Sequence, residues 1–254
     1  MILNISENNL NVIERGVYYY GLLDYPNITT SELANIIAFL EYENLYGRKT
    51  VIECQDENIV KAVNDAISQP DTFKNALLSP DNTFIYHATN VRAAKKILSG
   101  GVLFSAEKVY GKTGEVLSFE KRDSLWNDPP DFFQYIMFCW GDNMTGDYVV
   151  LSENFPLEED LFNGNFNAGV RFYFKYDDML KHPGHTLDGY HAMKVKDEIV
   201  LSNYLYACIV PEQYKIELED SVLSQLLTKV HFLSQRGISL SSWNEKVCDF
   251  LSKL

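Results

Sequence analysis

The 254-residue chain has no apolar run near the length of a membrane span, so no transmembrane helix and no membrane partner are expected. Its start, Met1-Ile2-Leu3-Asn4-Ile5-Ser6-Glu7, has neither a basic opening nor a long apolar stretch, so no signal peptide is expected. Cysteine is scarce: Cys54, Cys139, Cys208 and Cys248 lie far apart, three of them inside apolar runs. That argues against a disulfide framework and for buried thiols in a reducing, cytoplasmic setting. Basic residues are outnumbered, 22 Lys and Arg against 35 Asp and Glu, which gives a net charge of −13. Tight non-specific binding to a phosphate backbone is disfavoured by that balance. A local basic stretch exists nonetheless, in Lys95, Lys96, Lys108, Lys112, Lys121 and Arg122. The sequence has no internal repeat and no low-complexity segment.

Several familiar chemistries lack their residues. Gly111-Lys112-Thr113-Gly114 suggests a phosphate loop, but Ala106 stands where the upstream Gly belongs and no helix pattern begins at Lys112. His182-Pro183-Gly184-His185, with His191 nearby, has no Cys close to it, and its Pro and Gly mark a turn, so no metal site is expected. No Gly-x-Ser-x-Gly elbow is present for a serine hydrolase.

What is present is enough apolar sequence for an ordinary core, at 46%. Residues 1–78 read as a small N-terminal α+β unit. Thr29-Thr30-Ser31-Glu32 offers helix caps, and Leu33, Ile36, Ile37 and Leu40 follow at helical spacing. Lys49 to Cys54 reads as a strand, and Ile59, Val60, Val63 and Ile67 mark a helix face. Pro70 and Pro80 bracket the expected boundary, and this unit offers no catalytic constellation.

From residue 79 to 254 the pattern changes to strands with irregular connections. The candidates are Thr83–Ala88, Val102–Ser105, Gln134–Trp140, Tyr148–Ser152, Val170–Tyr176, Glu198–Leu201 and Leu205–Val210. The tail reads as two helices, Val222–Leu233 and Ser242–Leu251. The expected fold class is α+β. On the run Val170–Tyr176, alternation assigns Phe172 and Phe174 to a core, and Arg171 and Lys175 to a solvated or sheet-covering face.

The most telling stretch is Phe84-Ile85-Tyr86-His87-Ala88-Thr89. Alternation along a strand puts His87 and Thr89 on one face. An amphipathic helix through Val91, Ala94, Ile97 and Leu98 follows, stopped by Gly100-Gly101, and then the run Val102-Leu103-Phe104. Farther on come Lys121-Arg122, Pro129-Pro130 and Phe133-Gln134-Tyr135-Ile136-Met137-Phe138-Cys139-Trp140. Last comes Lys196-Asp197-Glu198-Ile199-Val200-Leu201, an acidic residue heading an apolar strand.

In that order these segments resemble the ADP-ribosyltransferases, most nearly the DarT-like enzymes that act on nucleic acid. The resemblance covers roughly Thr83 to Pro211; where the family has an Asn-Leu pair after the His-x-Thr strand, this chain has Ala93-Ala94. It implies a split mixed sheet with peripheral helices. It also implies NAD as co-substrate with no metal, and transfer of ADP-ribose to a nucleic-acid base ahead of a protein side chain. Glu198 matches the catalytic carboxylate, and Arg122, with Lys121 its neighbour and rival, matches the Arg used for catalysis and NAD contact. His87 and Thr89 would line the NAD pocket with Ser105, and Tyr135 or Phe138 could stack on nicotinamide. A toxin or phage–host conflict role, with an antitoxin or regulatory protein as partner, follows from the family alone. Two readings stand beside it: an NAD glycohydrolase with water as acceptor, and a catalytically inactive nucleotide- or protein-binding module of the same fold.

Overall fold

A computed structural model of the chain describes residues 1–7, 11–78, 83–120, 128–152 and 158–254. Its contacts divide the chain into two compact units. The first is Met1–Asp81 together with Ala106–Tyr135 and Thr186–Lys194; the second is Asn82–Ser105, Ile136–His185 and Val195–Leu254. One cut falls near the boundary expected after residue 78. The first unit is not confined to the N-terminus, however, since two later segments complete it.

The first unit holds a four-stranded sheet of β1 (Ile2–Ser6), β2 (Asn11–Glu14), β3 (Val17–Gly21) and β4 (Val51–Cys54), in the order β2-β3-β1-β4. β2 and β3 form an antiparallel hairpin, turned at Arg15 and Gly16 with φ of +49° and +82°. Two successive positive φ values match the right-handed twist of a hairpin, which is why a Gly is needed there. β1 runs parallel to both β3 and β4. The first three strands were not anticipated from the sequence.

The helix Thr30–Leu45 begins with a capping box. The Thr29 hydroxyl accepts from the Glu32 amide, and the Glu32 carboxylate accepts from the Thr29 amide at 2.8 Å. Helix Glu57–Ile67 is capped by Asp56. Ile36 and Phe39 from the first helix and Ile59 and Val63 from the second meet Leu3, Ile5, Tyr18 and Tyr20 in one core. The segment Thr186–Lys194 closes on this core at Gly189, whose carbonyl accepts from the Tyr18 hydroxyl at 3.2 Å.

Most of the second unit's strands belong to one mixed sheet. It contains β5 (Phe84–Thr89), β7 (Tyr135–Trp140), β8 (Val170–Lys175), β9 (His185–Thr186), β10 (Met193–Lys196), β12 (Leu205–Pro211) and β13 (Val230–Leu233), in the order β13-β12-β8-β5-β7-β10-β9. β6 (Val102–Phe104) and β11 (Glu198–Val200) form a separate two-stranded sheet. The architecture is therefore mixed α+β, as expected. β5 is antiparallel to both its neighbours, β7 and β8.

One face of the large sheet carries Tyr86, Tyr173, Ala207 and Ile209, covered by Leu240, Trp243, Val247 and Leu251 of the helix Leu240–Leu251. Arg171 lies on this side and is fully buried, so of the two expectations for its face, solvated or sheet-covering, the second holds at this residue.

Two expected elements differ. Tyr148–Ser152, expected as a strand, lies in the helix Thr145–Ser152. Its apolar residues do not alternate: adjacent Val150 and Leu151 are buried while adjacent Tyr148 and Val149 are exposed. A short apolar run does not reveal its period. Val222–Leu233, expected as a helix, splits into a 3-10 segment, Ser224–Lys229, and the strand β13, which pairs parallel with β12. Among the described residues no helix is long and apolar enough to cross a membrane.

Candidate active site

Glu198 stands at the head of β11, directly opposite Phe104 in the antiparallel pairing with β6; Ile199 faces Leu103 and Val200 faces Val102. Leu103 and Ile199 are buried, whereas Glu198, Phe104 and Val200 are exposed. The two strands thus put one row into the core and leave Glu198 and Phe104 side by side on the other.

Local geometry fixes this ribbon at both ends. Gly101 ends helix Val91–Gly100 in the left-handed conformation, φ +69°, and a Cβ there would meet Leu223 Cδ1 at 2.8 Å. The Leu201 amide donates to the Gly101 carbonyl. At the other end Asp197 has φ +66°, an uncommon conformation for a residue with a side chain. It turns the chain from β10 into β11, and its carbonyl accepts from the Ser105 amide at 2.8 Å.

Ser105 is 1% exposed, and its Oγ has no hydrogen-bond partner among the described residues. A buried hydroxyl without a partner is costly and commonly awaits one. The Glu198 carboxylate likewise makes no hydrogen bond or ion pair among the described residues. Glu198 and Ser105 thus stand at adjoining ends of one ribbon but on opposite faces, Glu198 on the open one and Ser105 on the buried one.

His87 and Thr89 project from the same face of β5, opposite Phe172 and Val170 of β8, and both are half-buried. His87 Nδ1 lies 3.1 Å from the Met137 carbonyl oxygen. A carbonyl only accepts, so Nδ1 carries the hydrogen and Nε2 of the neutral ring keeps its lone pair. Burial lowers the His87 pKa, outweighing the Met137 bond, and the ring is neutral at pH 7.

The expected aromatic contacts are placed differently. Phe138 is 0% exposed, packed edge-on against Phe174 with centroids 5.3 Å apart and near His87 at 6.3 Å. Tyr135 is buried too, its hydroxyl 2.7 Å from that of Tyr46 and its ring beside the Lys194 ammonium. Neither ring offers an open face to nicotinamide in this arrangement. Arg122 and Lys121 lie outside the described residues.

Phe104 and Asp197 were not singled out from sequence. The signal for Phe104 was present: in Val102-Leu103-Phe104, alternation opposes Phe104 to the buried Leu103.

Two other polar clusters are buried. In the second unit Asp147 and Arg171, both 0% exposed, are joined by Nε to Oδ1 at 3.0 Å and Nη2 to Oδ2 at 2.7 Å. Arg171 Nη1 also donates to Tyr173 Oη and Asn244 Oδ1, and Tyr86 Oη donates to Asp147. This fully enclosed network has the character of a core fastening.

In the first unit Lys194 Nζ lies 2.7 Å from Asp188 Oδ2 and 3.3 Å and 4.0 Å from the ring centroids of Phe132 and Tyr42. Burial alone would raise the Asp188 carboxyl. Lys194 and His191 together outweigh burial and hold it well below the usual carboxylate range. A cavity of about 500 Å³ also opens in this unit, at the carboxyl ends of β1 and β4. It is lined by Ser6, Glu7, Tyr25 and Cys54 among others, and by none of the candidate site residues. Compared with protein-family models, with curated proteins and with solved structures, the chain matches none.

Proposed function

We propose that the protein is an NAD-dependent ADP-ribosyltransferase that modifies a macromolecule, with a nucleic-acid base favoured over a protein side chain. The observation that carries this reading is the β6–β11 ribbon. It holds an exposed carboxylate, Glu198, that makes no ion pair among the described residues, beside the exposed ring of Phe104 on the ribbon's open face. An unpaired carboxylate suits the hydroxyl-rich ribose of NAD. The ordered sequence of His87-x-Thr89 strand, helix, ribbon and acidic strand head supports the same reading.

NAD supplies a ribose C1′–nitrogen bond whose electron pair leaves with neutral nicotinamide. Positive charge develops on the sugar as that bond lengthens, and a fixed carboxylate near the ribose stabilises it. Glu198 fills that role, and it accepts the proton that the acceptor loses when its new bond to C1′ forms. His87 Nε2 hydrogen-bonds the sugar or carboxamide, Thr89 adds a hydroxyl on the His87 side, and Arg122 is assigned to the diphosphate as a bidentate partner. Residues 1–78 hold no member of this set, and recruitment of the target or of a regulatory partner is assigned to that part of the chain.

The test is incubation of the protein with NAD labelled in the ADP-ribose moiety and separate pools of DNA, RNA and protein. Label on DNA or RNA is the expected result. Label on protein redirects the acceptor assignment, free labelled ADP-ribose makes the protein an NAD glycohydrolase, and no turnover makes it a binding module.

A further inference from the structure

We infer that Phe104 is the acceptor-side specificity residue of the proposed reaction, its ring forming the surface on which a planar acceptor group stacks beside Glu198. The inference rests on the reading above and deepens it by naming the residue that would select the acceptor.

Directly opposite residues of an antiparallel pair have their Cβ atoms about 4.5–5.5 Å apart on the same face. Glu198 and Phe104 are such a pair. The position of the ring is therefore set by the same ribbon that sets the carboxylate. The carboxylate is faced across the pair by a phenyl ring that is 43% exposed. Val200, 38% exposed, and the half-buried Val102 continue the apolar surface one pair farther along the ribbon. The next residue, Ser105, turns inward, so the ring is the last side chain of β6 on the open face.

A carboxylate that takes a proton needs its acceptor held within hydrogen-bond reach, at about 2.6–3.2 Å. The ring alone supplies no hydrogen-bonding specificity and no charge. What it selects is a flat π-surface, and every nucleobase has one. Small or acidic side chains such as Ser and Asp have no π-face to lay on a phenyl ring, which sets the base ahead of those protein acceptors. Arg, which stacks on aromatic rings, is the protein acceptor that the experiment must separate from a base. Stacking also needs no phosphate contact, so it is compatible with the acidic net charge of −13. In the transfer itself the C1′–nicotinamide bond breaks, a bond from C1′ to a nitrogen or oxygen of the stacked base forms, and that atom's proton passes to Glu198.

The experiment compares wild type, Phe104→Ala and Phe104→Trp, measuring nicotinamide release without acceptor and label transfer to single-stranded DNA and RNA. For Phe104→Ala the expected result is an unchanged KM for NAD and a ratio of transfer to acceptor-free nicotinamide release lowered about tenfold or more. Phe104→Trp is expected to restore transfer, because indole keeps the π-surface. A raised KM for NAD with both activities lowered together would place the ring against NAD and overturn the inference. Unchanged transfer in Phe104→Ala, or preferential labelling of protein by wild type, would overturn it as well. Absence of NAD turnover in the wild type would instead remove the reading on which it rests. Since Phe104 is exposed, Phe104→Ala is expected to fold, and its circular dichroism and unfolding midpoint are recorded alongside.

Discussion

Replacing Asp147 by Leu should destabilise the second unit heavily, and replacing Arg171 by Met at the same time should restore part of the loss. The reason lies in the enclosure of the pair. Arg171 and Asp147 are each 0% exposed, and the guanidinium meets the carboxylate through two nitrogens at 3.0 Å and 2.7 Å. Asp147→Leu leaves a cation in the core with only Tyr173 Oη and Asn244 Oδ1 as neutral partners, at 2.9 Å and 2.8 Å. Removing one member of a buried pair costs about 3–5 kcal/mol, against a typical total stability of about 5–15 kcal/mol.

With a urea dependence of about 3 kcal/mol per molar, the unfolding midpoint should fall by roughly 1–2 M. Arg171→Met added to Asp147→Leu removes the stranded charge, leaving chiefly Asn244 Oδ1 short of a partner, a cost of about 1–3 kcal/mol. The double variant should therefore unfold at a higher urea concentration than Asp147→Leu alone. Equilibrium urea unfolding followed by tryptophan fluorescence is suited to this, because Trp243 is 0% exposed and belongs to the same core. A loss below about 1 kcal/mol for Asp147→Leu, or a double variant as weak as the sum of the two single changes, would refute the reasoning.

Two further stability predictions follow from local geometry. Burial lowers the His87 pKa, so the native ring stays neutral where the unfolded chain, near its ordinary value of about 6.5, takes up a proton. This contribution is present above that pH and is lost as the pH falls below it. His87→Gln should flatten the decline in unfolding free energy between pH 6.5 and 5 by up to about 1.4 kcal/mol per pH unit, and an unchanged slope would contradict the assignment. Gly189 has φ +65°, and a Cβ there would strike the Asn35 carbonyl oxygen and come within 2.7 Å of the Phe39 amide nitrogen. Gly189→Ala should cost about 3 kcal/mol from left-handed strain and overpacking, read as a lowered thermal midpoint; an unshifted midpoint would mean that the segment Thr186–Lys194 does not close on that core.

The parts of the fold that were legible in the sequence are those with a clear period and a clear stop. The strands β5, β6, β7, β8, β11 and β12 were placed to within a residue or two, because β-branched and aromatic runs ended at Gly, Pro or a cap. Helix Val91–Gly100 carried both its Asn90 cap and its Gly101 stop. β1 to β3 were missed because their apolar residues are interleaved with Asn, Ser, Glu and Gly in short runs that carry no strong β-branched or aromatic block until Val17-Tyr18-Tyr19-Tyr20. β13 was missed because Val230–Leu233 joins apolar residues that also fit a helix, and only its pairing with β12 decides between them. For Arg171 the sequence left two alternatives open, a solvated or a sheet-covering face. Alternation separates the two faces of a strand, but it cannot say that a second layer, the helix Leu240–Leu251, covers the polar one.

At the candidate site, Glu198 and His87 could be picked from residue type and order. The pairing of Glu198 with Phe104 and the reversed backbone at Asp197 could not, since register and φ belong to the folded chain. The first unit's later segments, Ala106–Tyr135 and Thr186–Lys194, were equally invisible, because chain proximity is not spatial proximity.

The most direct measurement is nicotinamide release from NAD by wild type and by Glu198→Gln, with NAD binding and unfolding midpoint recorded on the same preparations. Glu198→Gln keeps the shape of the side chain and removes its charge. If Glu198 stabilises the developing sugar cation, turnover falls by about two to three orders of magnitude or more while NAD affinity and the midpoint stay close to wild type. Turnover near the wild-type rate in folded Glu198→Gln would contradict the assignment of Glu198 as the catalytic carboxylate.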